Sequence, residues 1–232
     1  MNTPLPPETI DALRSFDSAT VSNAIEDHQV RDRSEGYASM HLRCMYPDLK
    51  PMVGFAVTCT MDSTSPRHGR PNRLHEFLDM IAAAPQPAVV VIQDVGNDNP
   101  RSCFLGDMIC GVYAKLGAVG VVTDGGVRDL SGIRKSAPGF QVFASGVVVS
   151  HGNSTKLDLG VPVSVHGLEI QPGDLLHGDA NGVVEIPREV AASLPERCRQ
   201  VRETEAKLFA VLQDASVTLA ELKSHVGRPT NS

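Results

Sequence analysis

Two acidic side chains and an arginine lie beside glycines in the middle of the chain. Asp107 follows Gly106, and after twenty intervening residues comes the pair Arg128-Asp129, which Gly125-Gly126 precedes. Two carboxylates, a guanidinium and the free amides of a helix start suit a divalent cation together with an anionic substrate. The residue types therefore predict a site that could bind both.

The elements between these residues can bring them to one place. Residues 108–118 have the pattern of a helix about 16 Å long at roughly 1.5 Å per residue. Residues 119–123 have the pattern of a strand that returns a similar distance at roughly 3.3 Å per residue. If the apolar run 88–92 is a parallel neighbour of that strand, the unit is a right-handed crossover. Asp107 and Arg128-Asp129 then meet at the edge of the sheet where α/β proteins bind ligands.

Glycines at both ends of this unit fit the same interpretation. We expect Gly106 to let a ligand approach the backbone, and Gly125-Gly126 to take the positive φ of a tight turn. Ordinary structural roles would also account for these residues, because Asp commonly caps a helix and an Arg-Asp pair is commonly a surface ion pair. The residues alone leave both interpretations open.

The composition excludes several classes of protein. The chain has 232 residues, and 21 Lys plus Arg against 27 Asp plus Glu give a net charge of −6, so we expect no nucleic-acid partner. No apolar run approaches the roughly 18 residues of a membrane span, and the N-terminus lacks a signal-peptide pattern, so we expect a cytoplasmic protein without a membrane partner. The five cysteines, none in a C-x-x-C pair, are expected to be free thiols.

The remaining pattern predicts many short elements in one compact chain. Turn chemistry is expected at residues 172–174 and 178–179, and a frayed tail from Ser224. The apolar spacing predicts helices at 7–14, 17–25, 74–84 and 189–213, and strands at 52–61, 141–144, 146–150, 161–165, 168–170 and 183–186.

The spacing of Asp107 and Arg128-Asp129 resembles that of the 4-hydroxy-4-methyl-2-oxoglutarate/4-carboxy-4-hydroxy-2-oxoadipate aldolases and the RraA-like proteins. A second patch, residues 171–187, resembles the same family, and the similarity extends from about Asp17 to about Lys207. The resemblance implies an α/β fold with a swivelling β/β/α core, assembled as trimers or hexamers with active sites between subunits. We predict an N-terminal helical segment (1–30), the core (31–190) and a C-terminal helix and tail (191–232).

The same resemblance implies a metal-dependent, class II pyruvate aldolase that also decarboxylates oxaloacetate. The substrate would be a small 2-oxo acid and the cofactor Mg²⁺ or Mn²⁺, bound directly by Asp129 and through a water by Asp107, which would also move a proton. Arg128 would stabilise the oxygen of the pyruvate enolate. The substrate would be bound by Leu105, Gly106, Asp107, Met108 and Arg128.

Three details keep the substrate and the subunit contacts open. Some family aldolases carry another acidic residue three positions after the equivalent of Asp129, where this chain has Gly132. They also bring an acidic residue from a neighbouring subunit to the metal; Glu205 is the best match, with Glu203 in reserve, and ordinary surface charge is the alternative for both. The loop 66–72, which contains Arg67, His68 and Arg70, is either solvated surface or a lid that contacts an anion.

Other functions also remain open. A Schiff-base aldolase would need a desolvated lysine, and Lys115 is the candidate nearest to the site. A regulatory binding protein without lyase activity, acting on a ribonuclease or helicase, is a different class. A third possibility is an enzyme that acts on another oxo acid or on a sugar-acid derivative.

Overall fold

The computed structural model describes residues 5–66 and 71–225. The three cationic residues of the predicted lid, Arg67, His68 and Arg70, lie outside the described residues, and so does the predicted tail beyond His225. Within the described part of the chain, no helix is both long and apolar enough to cross a membrane.

Thirteen strands and seven α-helices make up the described structure. The helices are α1 (Pro7–Leu13), α2 (Ser18–Glu26), α3 (Leu74–Ala83), α4 (Asp107–Lys115), α5 (Leu130–Ser136), α6 (Leu194–Gln213) and α7 (Leu219–His225). The strands are β1 (Arg43–Cys44), β2 (Met52–Asp62), β3 (Ala88–Asp94), β4 (Cys103–Leu105), β5 (Ala118–Thr123), β6 (Gly126–Val127), β7 (Gln141–Ala144), β8 (Gly146–Val147), β9 (Thr155–Leu159), β10 (Val163–Val165), β11 (Leu168–Ile170), β12 (Leu175–Asp179) and β13 (Gly182–Ile186).

A mixed eight-stranded sheet forms the centre of the fold. Its order is β1-β7-β5-β3-β2-β12-β13, with β9 also paired to β2. Strands β2, β3, β5 and β7 run parallel, and β3 and β5 are neighbours joined through α4. The predicted crossover is therefore confirmed, and so is the mixed α/β fold of a single domain with helices at both ends. The finer division at residues 30 and 190 stays a prediction.

A second, three-stranded parallel sheet continues the chain beyond the ends of the central strands. Strand β4 follows β3, β6 follows β5 and β8 follows β7, and these short strands pair in the order β4-β6-β8. Each comes shortly after the carboxyl end of a parallel strand, so they extend the edge where ligands bind in α/β folds.

The helices at the two ends of the chain pack together on one face of the central sheet. Apolar residues of α1 and α2, such as Leu13 and Val21, share a buried cluster with Leu194 and Val201 of α6. Buried His177 on β12 joins this layer to the sheet, because its Nδ1 lies 3.0 Å from Ser18 Oγ and its Nε2 lies 3.1 Å from the Phe16 carbonyl oxygen.

Several sequence-based assignments were wrong; the strand predicted at 146–150 ends at Val147, for example, and Ser224, the predicted start of the frayed tail, lies in α7. Residues 178–179 end β12 instead of forming a turn, because β12 pairs on both sides, with β2 and β13, and its backbone groups need those partners. Helix α4 ends at Lys115, before Gly117 with its φ of +97°. Helix α6 begins at Leu194 with Pro195 in its first turn, so residues 189–193 are turns instead of helix.

Candidate active site

Main-chain pairing in the small sheet places the predicted site residues side by side. Leu105 of β4 pairs with Val127 of β6, and the Arg128 amide donates a 2.9 Å hydrogen bond to the Leu105 carbonyl oxygen. Each strand ends there. Gly106 and Asp107 follow the end of β4, and Arg128 and Asp129 follow the end of β6. Residues distant in sequence therefore lie in one small region.

Asp107 is the first residue of α4, and Gly106, in extended conformation, is the N-cap. The Asp107 Oδ1 atom accepts a 2.8 Å hydrogen bond from the Met108 amide, and its carbonyl oxygen accepts one of 2.7 Å from Ser136 Oγ on α5. The carboxylate therefore lies at the positive end of α4, and the backbone of Asp107 is tied to α5.

Arg128 and Asp129 form a partly exposed ion pair at the start of α5. Arg128 Nε lies 3.3 Å from Asp129 Oδ2. Asp129 takes the left-handed conformation, with φ +57° and ψ +39°, which is uncommon for a residue with a side chain and occurs often at functional sites. A Cβ atom at Gly106 would come within 3.1 Å of Asp129 Oδ2 and 3.4 Å of Arg128 Nε. Glycine at 106 thus leaves room for this pair.

Gly125 and Gly126 have a different role from the one predicted. Neither takes a positive φ. Instead, a Cβ at Gly125 would come 2.6 Å from the Phe104 ring, and one at Gly126 would come 2.7 Å from the Ser102 carbonyl oxygen. These glycines allow β4 and β6 to approach each other closely, and the positive φ belongs to Asp129.

The structure also gives a physical reason for glycine at position 132. A Cβ there would lie 2.6 Å from Asp107 Oδ2, because α4 and α5 meet at this point. An acidic side chain at position 132, as in some family aldolases, is incompatible with the Asp107 conformation of this chain. The absence of that residue and the position of Asp107 are therefore linked.

A cleft of about 230 Å³ opens beside these residues. Leu105, Gly106, Asp107, Met108 and Arg128 all line it, whereas Asp129 lies behind Gly106 and is not among the lining residues. The cleft is smaller than the roughly 300–1,000 Å³ of sites for drug-sized ligands, so its size suits a small acid. Asn72, from the loop 66–72 predicted as a possible lid, also lines the cleft, as do residues that the sequence did not single out for this purpose: Leu74, His151, Ser154 and Lys156.

Lys156 is the most unusual of these residues. It lies on β9, its side chain is almost fully buried, and its Nζ lies 5.7 Å from the centre of the Phe77 ring and 5.9 Å from that of Tyr113. Burial lowers the pKa of its ammonium group. Lys115, the lysine considered for a Schiff base, is exposed at the end of α4. The sequence did not lead us to predict β9. Had that strand been recognised, a lysine at a buried position within it would have drawn attention to Lys156.

The cysteines near the site do not have the features of nucleophiles. The described structure has only free cysteines, and burial raises the pKa of the Cys103 thiol and raises that of Cys110 to about 12. Thiols with raised pKa values are poor nucleophiles. Both side chains are fully buried, and Cys110 of α4 belongs to the main apolar cluster.

The donor set fits a hydrated divalent cation. Asp107 follows Gly106 and the Asp129 carboxylate lies against Gly106, but no three His, Cys, Asp or Glu residues come together as a metal cage in the described part of the chain. Mg²⁺ usually keeps several waters and uses one or two carboxylates together with its substrate, so two such groups are sufficient. Glu205 instead accepts a 3.4 Å hydrogen bond from Asn23 within the same chain, and Glu203 is exposed. Their contact with another subunit stays a prediction.

Comparison with known proteins places this geometry in a family. The model of the RraA-like family, described as aldolase/RraA, matches residues 18–185. The chain belongs to the RraA-like family. A relative from Halalkalibacterium halodurans, named "Putative 4-hydroxy-4-methyl-2-oxoglutarate aldolase", is 30% identical over 142 residues, or 60% of this chain and 66% of that protein. This RraA-like chain thus matches slightly less than two thirds of the length of that relative.

Solved structures support the same fold. An uncharacterized protein from Pseudomonas syringae pv. tomato superimposes with a TM-score of 0.74 at 23% identity, covering 97% of this chain and 96% of that one. Streptomyces coelicolor RraAS2, described as an unusual member of the RNase ES inhibitor RraA family, gives a TM-score of 0.68 at 22% identity, covering 91% and 100%. At these identities the two structures establish the RraA-like fold of this chain and nothing about its activity.

Proposed function

We propose that this chain is a divalent-metal-dependent pyruvate aldolase that cleaves 4-hydroxy-2-oxo acids and also decarboxylates oxaloacetate. One observation carries the proposal: pairing of β4 with β6 brings Asp107 and Arg128 to a small cleft and places Asp129 beside Gly106, in an ion pair with Arg128. Both reactions form the enolate of pyruvate, so one site that stabilises this enolate can serve both. The name of the Halalkalibacterium relative supports the same reaction class.

Each site residue then has a defined task. Asp129 would hold the cation directly and Asp107 would hold it through water; when bound, Mg²⁺ or Mn²⁺ would act as a Lewis acid on the 2-oxo acid. The Arg128 guanidinium donates hydrogen bonds to the oxygen that becomes negative as the enolate forms. The segment from Leu105 to Met108 would bind the substrate carboxylate at the start of α4. Asp107 is also placed to exchange a proton with a neighbouring water.

Release of pyruvate tests the proposal. Oxaloacetate and 4-hydroxy-4-methyl-2-oxoglutarate would each be offered to the full chain with Mg²⁺ or Mn²⁺, and pyruvate would be followed with lactate dehydrogenase. We expect activity that EDTA removes and added metal restores. No pyruvate above background from either substrate would contradict the proposal. That outcome would favour a regulatory binding protein or an enzyme for another oxo acid.

The proposal includes a homo-oligomer, a trimer or hexamer, with sites near subunit contacts. Its support is a set of exposed apolar side chains: Met108, which lines the cleft, is 83% exposed, Val149 is 94% exposed, and Val147 of β8 is also exposed. Apolar side chains grouped beside a site are typical of interfaces. Light scattering after size-exclusion chromatography should give three or six times the mass of one chain, and a monomer would contradict this part. A cytoplasmic location, supported by the free cysteines, belongs to the same proposal.

A further inference from the structure

Lys156 is a buried lysine at the cleft to which the proposed function assigns no task. Its backbone is fixed, because its amide donates a 3.3 Å hydrogen bond to Asn72 Oδ1 and its residue pairs with Met61 of β2. Lys156 is one of the residues that line the cleft, together with Arg128 and the start of α4. The lysine is thus held in place by strand pairing and can face a bound substrate.

The surroundings of the Lys156 ammonium group are unusual for a structural lysine. Across the described residues, no carboxylate lies within ion-pair distance of Nζ. Its neighbours are instead the rings of Phe77 and Tyr113. A lysine is almost never fully buried unless it is paired, so a reason for its burial must be sought in what enters the cleft.

We propose that Lys156 is the general base that removes the proton from the 4-hydroxyl group of the substrate during carbon–carbon cleavage. This inference rests on the proposed function. Neutral Nζ takes the hydroxyl proton, and the electron pair of the O–H bond forms the carbonyl group of the departing product. The bond between carbons 3 and 4 breaks, and its electron pair enters the pyruvate enolate. The ammonium group then returns its proton to carbon 3, which completes pyruvate and regenerates the base.

The groups that face Lys156 suit a nitrogen that gains and loses a proton. Burial favours the neutral amine and lowers its pKa, while the two aromatic faces stabilise the ammonium group once the proton has arrived. The other titratable groups around it are the buried Cys59 thiol of β2 and the Tyr113 hydroxyl of α4. Burial raises the pKa of both, so both are neutral near pH 7. The other titratable residues that line the cleft are His151, Asp107 and Arg128.

The two proposed reactions differ in their need for this base. Aldol cleavage must remove a hydroxyl proton, whereas decarboxylation of oxaloacetate has no such proton to remove. A base at Lys156 is therefore required for the first reaction only. A lysine that simply supports the fold, or binds any anionic substrate, would affect both reactions.

The test compares both reactions in Lys156→Met, which keeps an unbranched chain of similar length without the amine. We expect kcat for cleavage of 4-hydroxy-4-methyl-2-oxoglutarate to fall by about 10²–10⁴, the range for loss of a general base, with oxaloacetate decarboxylation within threefold of wild type. The exposed Lys115→Met variant is the matched control and should retain both activities. Ethylamine in the buffer should restore part of the cleavage activity of Lys156→Ala.

A measurement on the wild-type protein covers the case in which these variants do not fold. The kcat/KM for cleavage should rise with pH through one ionisation that the profile for decarboxylation lacks. Identical pH profiles for the two reactions would overturn the inference. So would equal losses of both activities in a folded Lys156→Met variant, or an effect on KM alone.

Two further results distinguish a base at Lys156 from a lysine that forms an imine and from one that has no catalytic task. Peptide mass spectrometry after borohydride reduction would detect pyruvate attached to Lys156. Such an adduct would show that Lys156 forms an imine instead of acting as a base, which would overturn the inference. If the wild-type protein decarboxylates oxaloacetate and a folded Lys156→Met variant loses neither activity, the proposed function stands. The assignment of Lys156 as the base is then overturned. A wild-type protein that releases no pyruvate from either substrate would overturn the proposed function, and this inference with it.

Discussion

Replacing Arg128 with lysine tests whether a planar guanidinium is needed in the cleft. Arg128 Nε lies 3.3 Å from Asp129 Oδ2, so the terminal NH groups are the part of the side chain that can serve a substrate. A lysine ends in a single ammonium group. That group can contact either Asp129 or the enolate oxygen, but it cannot reproduce the fork that contacts both.

The expected loss follows from the task of the residue. Removing one preorganised donor to a developing oxyanion commonly lowers kcat by about 10²–10³, which corresponds to roughly 2.7–4 kcal/mol. We expect Arg128→Lys to fall in this range for both proposed reactions, because both form the same enolate. The effect on stability should be small, since the Arg128 side chain is 36% exposed and exposed ion pairs contribute only about 0–1 kcal/mol.

The assay is lactate dehydrogenase-coupled pyruvate release, with thermal melting followed by circular dichroism on the same samples. Arg134→Lys is the matched control, because Arg134 lies on α5, which follows Arg128 in the chain, and forms hydrogen bonds of 2.6 and 2.9 Å to Asp48 outside the cleft. It should retain wild-type kcat. If Arg128→Lys keeps kcat within threefold of wild type while folded, the role given to the guanidinium is wrong.

Three further predictions concern the metal, the packing of Asp107 and the effect of pH. Asp129→Ala should lose activation by Mg²⁺ or Mn²⁺ in metal titrations, and an unchanged titration curve would refute Asp129 as a ligand. Gly132→Ala places a Cβ 2.6 Å from Asp107 Oδ2, so kcat should fall at least tenfold with little change in melting temperature; unchanged kcat would show that this Asp107 position is not the active one. Burial lowers the pKa of His177 below its ordinary 6.5, so the unfolded chain binds a proton that the folded chain rejects, and stability should decrease below about pH 6.5 by up to roughly 1.4 kcal/mol per pH unit. Asp124, whose pKa burial raises to about 6, has the opposite effect on stability. The free energy of unfolding in urea should therefore be compared between wild type and His177→Gln across pH 5–8. Parallel curves for the two proteins would contradict the role given to His177.

The crossover could be predicted because its signals are local. Small and apolar residues with helical spacing precede a β-branched run, and both elements lie close to their expected bounds at Asp107–Lys115 and Ala118–Thr123. Strand β12 could not be recognised, because glycine and aspartate at 178 and 179 favour turns in isolation. Pairing with β2 and β13 overrides that local preference.

The presence of Lys156 at the cleft could not be predicted from the sequence for a similar reason. Lys156 is buried because β9 pairs with β2, a strand almost a hundred residues earlier in the chain. The left-handed conformation of Asp129 likewise depends on the neighbouring Gly106, which leaves room for the carboxylate. Both features are determined by contacts between segments that are distant in the chain. The spacing of residues in the sequence does not predict such contacts.

The pairing of β4 with β6 also affects how this scaffold can change. Hydrogen bonds of the main chain hold the ends of the two strands together, and almost any amino acid can make them. The residues that follow can therefore be exchanged without rebuilding their support. A new reactive group at position 107, 128 or 129 would inherit the same location, which makes these three positions the natural targets for redesigning the catalyst.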